Sequence, residues 1–160
     1  IFINSGFNLR PTDIQAAIAH NQFKRLDTLK KFRNINKNLI IEKISNSQKW
    51  KSQFKFIVTP KDIDPSWMGL PILLSEKYIK KKQKFVNFLD NQGIETRPII
   101  SGNFANQPAA KLYKLCKKNE KFENAQKVQE LGFLIGLHTK KLSKKNLDLI
   151  HDSFFMIDNI

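Results

Sequence analysis

Gly93-Ile-Glu-Thr-Arg-Pro-Ile-Ile-Ser-Gly-Asn-Phe104 is a short, β-branched and apolar run that leaves a glycine and enters a Ser-Gly-Asn turn. Residues 94–100 therefore read as a strand. Gly93 stands where a helix C-cap belongs, so the lysine-rich residues 79–92, with Phe85, Val86, Phe88 and Leu89 on their apolar side, read as the helix feeding it. Working outward, residues 67–74, interrupted by Gly69 and Pro71, and residues 134–137 have the same short apolar character and read as further strands. Phe54, Phe56 and Val58 alternate as a strand would inside the otherwise irregular connection 46–66. Helices over residues 109–116, 122–131 and 143–156 complete the pattern. The fold class is α/β of the α+β kind, a small sheet with helices packed on one face.

Toward the N-terminus, Thr12-Asp-Ile-Gln15 matches a capping box, in which the Thr12 and Gln15 side chains satisfy each other's exposed N–H groups. A helix should start there. Ile14, Ala17 and Ile18 share a face, and Leu26, Leu29, Phe32, Ile35 and Leu39 continue a helical spacing after a break at residues 21–25, as far as Ser45. The apolar face of the first helix suits either a core or a subunit interface. Residues 1–45 thus form a linking segment and residues 46–160 a small α/β domain. Before the capping box, Pro11 pushes Arg10 out of the helical region, so the segment is extended and Asn8 and Arg10 project from one face. An amide, a guanidinium and a helix N-terminus together suit an anion such as a phosphate. A connector with one surface ion pair is the simpler alternative.

The 160 residues carry 28 Lys plus Arg against 14 Asp plus Glu, a net charge of +14, and 41% are hydrophobic. That apolar content supports a real core and excludes a disordered basic tail. No window is apolar enough to span a bilayer and no signal pattern opens the chain, so no membrane partner is expected. The single Cys116 cannot form an intrachain disulfide or a cysteine metal cluster, which fits a cytoplasmic location. The first residue is Ile1 rather than Met, and the chain reads as a piece of a longer protein. Only Arg10, Arg25, Arg33 and Arg97 are arginines, and the lysines lack the interleaved aromatics that stack bases. The charge reads as a solvated surface, with no nucleic-acid partner; a small basic nucleic-acid-binding module is the alternative function.

Besides Asn8 and Arg10, two places can carry chemistry. Arg97 sits in an otherwise apolar strand that runs into a glycine turn, so its cation needs a ligand or a partner such as Glu95. His138 follows Gly136-Leu137 at a strand end and could donate to a ligand, although a lone histidine is commonly structural. No P-loop, dinucleotide fingerprint, nucleophile elbow or metal-ligand spacing is present.

Four motifs occur together in one order: Ser5-Gly-Phe-Asn-Leu-Arg-Pro-Thr-Asp-Ile-Gln-Ala-Ala-Ile18, Trp67-Met-Gly-Leu-Pro-Ile72, Gly93 to Phe104 as quoted above, and Gly132-Phe-Leu-Ile-Gly-Leu-His138. In this the chain resembles the pyridoxal-phosphate-dependent sugar-nucleotide aminotransferase family, and its Arg97-to-Phe104 element is most similar to the branch of 4-keto-6-deoxyhexose 3-dehydratases. The resemblance implies the C-terminal part of a fold-type I enzyme of deoxysugar and lipopolysaccharide O-antigen biosynthesis. Its substrate would be a nucleotide-linked 4-keto-6-deoxyhexose, its cofactor pyridoxal or pyridoxamine 5'-phosphate, and its assembly a homodimer with shared active sites. The lysine that carries the cofactor, or the histidine that replaces it, would lie upstream of Ile1, so no catalytic residue is assigned here and the chain alone should be inactive. Asn8 and Arg10 would match cofactor-phosphate contacts, and Arg97, Ser101, Asn103 and Phe104 the loop closing over the sugar nucleotide, with His138 beside them. Gln107-Pro108 is more similar to the CDP-sugar branch, so nucleotide and reaction, dehydration or transamination, stay open.

Overall fold

The computed structural model describes residue 1, residues 12–117 and residues 120–160. Helix begins where the capping box falls. The Thr12 N–H donates to Gln15 Oε1 at 2.8 Å and the Gln15 N–H to Thr12 Oγ1 at 3.4 Å, and α1 then runs Asp13–Phe23. A turn at Lys24 and Arg25 separates it from α2, Leu26–Ser45, inside the expected break. The two helices differ in what they bury. No side chain of α1 is buried, and Ile14, Ile18 and Phe23 lie exposed, whereas α2 sends Ile40 and Ile44, one turn apart, into the core.

Four strands, β1 (Phe54–Phe56), β2 (Gly69–Leu74), β3 (Thr96–Arg97) and β4 (Gly132–Gly136), form one antiparallel sheet in the order β1-β2-β4-β3. The register pairs Phe54 with Leu74, Ile72 with Phe133 and Leu70 with Ile135. Because strand side chains alternate, those six side chains share one face, and all are buried. Helices α2, α3 (Lys82–Asn91) and α6 (Lys144–Phe155) close that face with Ile40, Ile44, Phe85, Leu89, Phe154 and Phe155. The rings of Phe54, Phe85, Phe133 and Phe154 meet at centroid separations of 5.1 to 6.4 Å in tilted, offset or edge-on geometry, the arrangements that ring quadrupoles favour. On the other face Pro71, Leu73 and Leu134 are half-buried.

Several boundaries differ from those read in the sequence, each for a local reason. The strand expected over residues 94–100 shrinks to Thr96–Arg97: Pro98 has no N–H to give a ladder, and Ile100 takes a left-handed φ of +45°. Val58 lies outside β1 and is exposed. Strand β2 begins at Gly69, and β4 runs from Gly132 to Gly136, leaving Leu137 beyond it with its N–H donated to the Met68 carbonyl at 3.2 Å. The helix expected over residues 109–116 is α4, Pro108–Leu112, which stops as Lys114 turns to φ +52°. A 3-10 turn, Glu76–Lys81, opens the lysine-rich helix before α3. Helix α5 spans Glu123–Leu131, and Ser143 caps α6 by accepting from the Asn146 N–H at 3.2 Å.

After α6 a 3-10 turn, Met156–Asp158, brings Asp158 to Tyr78 and Gln53. The Tyr78 hydroxyl donates to Asp158 Oδ1, and the buried Gln53 amide donates to Asp158 Oδ2 at 3.1 Å and to the Lys49 carbonyl at 2.9 Å. Burial and then the Asp158 bond push the Tyr78 phenol up, and the bond from Tyr78 holds the Asp158 carboxyl down.

Candidate functional site

Strand β3 is positioned from behind by α3. Gly93, at φ +79°, ends the helix in a conformation that disfavours side chains, and the Gly93 and Ile94 N–H groups return to the Asp90 and Leu89 carbonyls at 2.9 Å. The Asp90 carboxylate then accepts from the Thr96 N–H at 2.7 Å and from the Thr96 hydroxyl at 3.0 Å. That clamp sets Arg97, which pairs across to Leu134 of β4. Four residues past Leu134, His138 leaves the end of β4.

Arg97 and His138 line one open groove of about 580 Å³, floored by Leu134, Ile135 and Leu137 and walled by Leu142, Asn146 and Ile150. Arg97 is held by Glu95, whose Oε1 accepts from Nε at 2.9 Å and from Nη2 at 2.7 Å. Both side chains of that pair are about two-thirds exposed, so it is weak and an incoming anion can compete for the guanidinium. The Lys140 N–H donates to His138 Nδ1 at 3.0 Å, which assigns the ring proton to Nε2 in the neutral ring and leaves a donor on the exposed side chain.

Asn103 is placed differently. It is buried; its Oδ1 accepts from the Ala105 N–H at 3.2 Å, its Nδ2 donates to Gln126 Oε1 at 3.1 Å, and its backbone N–H donates to Gln129 Oε1 at 3.2 Å. The turn is thereby lashed to α5. Gly102 permits the close approach: its φ is +61°, and a Cβ there would stand 2.7 Å from Gln129 Cβ and 2.9 Å from Gln129 Cα. Asn103 lines a second cavity of about 700 Å³ between this turn, α4 and α5. Ser101 is half-buried and Phe104 exposed on the turn itself. Of the five residues expected to meet substrate, Arg97 and His138 line the same groove, toward opposite ends of the antiparallel β3–β4 pair.

Asn8 and Arg10 lie outside the described residues. At the described start of α1, the capping box already uses the Gln15 N–H and Asp13 adds a carboxylate to the first turn, so these residues alone do not cradle a cofactor phosphate. Two residues were not flagged by the sequence. Asp90 sits where a helix ends before glycine, a signal that could have been used; Asn36, fully buried in α2 and bonded to the backbone around His138, has no local signal among the neighbouring Asn34 and Asn38.

The described fold is shared with sugar-nucleotide dehydratases and aminotransferases. The structure of the E. coli GDP-4-keto-6-deoxy-D-mannose 3-dehydratase with bound hydrated PLP superposes with a TM-score of 0.70 at 23% identity, covering 96% of this chain and 38% of that one. Helicobacter pylori PseC, an aminotransferase involved in the biosynthesis of pseudoaminic acid, gives 0.75 at 17%, covering 97% and 40%. The chain belongs to the DegT/DnrJ/EryC1/StrS aminotransferase family, whose model matches residues 2–154. Among relatives, the lipopolysaccharide biosynthesis protein RfbH of Salmonella typhimurium is 30% identical over 152 residues, 93% of this chain and 33% of that protein. The GDP-4-keto-6-deoxy-D-mannose 3-dehydratase of Yersinia pseudotuberculosis is 29% identical over 149 residues, 91% and 36%. The chain thus spans about a third of the length of these relatives. None of these comparisons supports a nucleic-acid-binding module, and no described helix is long and apolar enough to cross a membrane.

Proposed function

We propose that this chain serves within a pyridoxal- or pyridoxamine-phosphate-dependent enzyme that acts on a nucleotide-linked 4-keto-6-deoxyhexose, as a 3-dehydratase of deoxysugar and O-antigen biosynthesis. Family membership supports the cofactor and substrate class, and the names of the most similar relatives support dehydration. The observation that carries the chain's own part is the groove that both Arg97, on β3, and His138, beyond the end of β4, line above apolar residues. Such a surface suits the diphosphate of a nucleotide sugar, with Arg97 supplying a two-pronged cationic contact and His138 a single donor. Asn103 supports the turn after β3 from within, and Ser101 and Phe104, carried on that turn, are proposed to meet the sugar.

Cofactor contacts from this chain rest on Asn8 and Arg10, as the described start of α1 does not provide them. They would reach the phosphate in a neighbouring copy, within a cytoplasmic homodimer. No step of the reaction is assigned to the described residues, whose part is to bind and orient the substrate.

Calorimetric titration of the chain with GDP at physiological salt tests this reading. The expected result is saturable binding at one site, weakened roughly tenfold by Arg97→Ala, the value of one hydrogen bond to a charged acceptor. Binding that any polyanion reproduces, that Arg97→Ala leaves unchanged and that vanishes as salt rises would instead indicate a general lysine-surface effect.

A further inference from the structure

The Asn36 side chain is fully buried on α2 and spends both of its N–H donors and one bond at its oxygen on one loop. Its Nδ2 donates to the His138 carbonyl and to the Lys140 carbonyl, both at 2.8 Å, and its Oδ1 accepts from the Leu142 N–H at 2.9 Å. A buried amide that satisfies three backbone groups across more than a hundred residues of sequence is costly to leave unpaired and geometrically demanding. The loop it grips is the one that carries His138. Leu137 and Leu142 anchor its two ends on the core, and the bonds to the carbonyls of residues 138 and 140 fix the chain between them. In that conformation the Lys140 N–H points at His138 Nδ1, 3.0 Å away.

We infer that Asn36 is a positioning residue for His138: by bridging the carbonyls of residues 138 and 140 it holds the loop shape in which Lys140 fixes the ring as its Nε2–H tautomer, with that donor available to an anionic oxygen in the Arg97 groove. The ligand part of this inference rests on the groove being the nucleotide-diphosphate site; the tautomer part does not. An imidazole freed from the Lys140 N–H would distribute its proton between both nitrogens and lose its fixed aim.

The two parts are tested together by nitrogen-15 NMR of the full chain and by GDP titration. In the unaltered chain His138 is expected to show the Nε2–H tautomer, and the Asn36 side-chain amide protons to exchange slowly. Asn36→Asp keeps the size and the acceptor but removes both donations. It is expected to give mixed His138 tautomers and a roughly tenfold weaker GDP affinity, the loss of one donor to a charged group. Ile40→Val, in the same helix and core, is expected to lower stability while leaving the tautomer and the affinity alone. A mixed tautomer or fast-exchanging Asn36 amide in the unaltered chain overturns the inference even if Asn36→Asp does not fold, as does an Asn36→Asp chain with an unchanged His138 signal. An unaltered chain that shows the Nε2–H tautomer and protected amide but binds no GDP upholds the positioning and refutes the groove reading alone.

Discussion

Two glycine-flanked turns of this molecule use polar residues in opposite ways. Around Gly102, the buried Asn103 is taken up by the fold, bonded to Gln126, to Gln129 and to the Ala105 backbone at 3.1 to 3.2 Å. At the end of β3 and beyond β4, Arg97 and His138 stay exposed, held among the described residues by Glu95 and by one backbone N–H, respectively. A polar residue beside a glycine turn thus marks a site only when its hydrogen-bonding capacity is left over. Burial with complete pairing marks scaffold, and exposure over an apolar floor marks a place for a ligand.

The largest effect should come from closing the buried turn's tightest approach. Gly102→Ala forces a side chain into a left-handed backbone and against Gln129, and is expected to cost on the order of 3 kcal/mol in urea unfolding. A loss well under this would show that α5 yields easily and that the turn is not tightly lashed. Asn103→Ala strands the Ala105 N–H and removes one of the two donors to Gln126 Oε1, which keeps its bond from Asn106 Nδ2 at 2.8 Å, and about 1 kcal/mol should disappear by the same measurement. Arg97→Ala is expected to change stability by no more than about 0.5 kcal/mol, since its pair with Glu95 is exposed, and to act on ligand affinity instead.

The smallest effect lies outside both turns, at the C-terminal contact of Asp158 with Tyr78 and Gln53. The folded Asp158 carboxyl titrates below its ordinary value of 3.8, so the unfolded chain takes up its proton first as pH falls. Its stabilisation is present above that value and is lost progressively below it. Tyr78 acts at the other extreme, where the unfolded phenol ionises near 10 before the folded one. Thermal unfolding followed against pH should therefore fall off below about pH 4, and Asp158→Asn should flatten that acid limb while leaving both turns untouched. An identical acid limb in the variant would show that other carboxylates carry it.

Much of this frame could be read from the residues. The Thr12–Gln15 capping box, the Gly93 helix end and the four strand regions all rest on short-range chemistry, and the antiparallel sheet uses the apolar positions expected of it. The boundary errors also have local causes, in Pro98 and in the left-handed Ile100 and Lys114. What sequence could not separate were residues alike in type and different in environment. Asn34, Asn36 and Asn38 are equivalent in a lysine-rich helix until the chain returns a hundred residues later to surround the second of them. Asn103 and Arg97 likewise share one motif, and only packing against α5 distinguishes support from site. The division at residue 45 has a similar character: α2 supplies Ile40 and Ile44 to the sheet's core, while α1, no less apolar, buries nothing.

The most direct test measures unfolding free energy and GDP affinity side by side for Asn103→Ala and Arg97→Ala. The account predicts a crossed result, with Asn103→Ala less stable but unchanged in affinity and Arg97→Ala unchanged in stability but about tenfold weaker in affinity. If Asn103→Ala instead lost affinity at full stability, or Arg97→Ala bound GDP normally, the assignment of one turn to scaffold and the other to site would be contradicted.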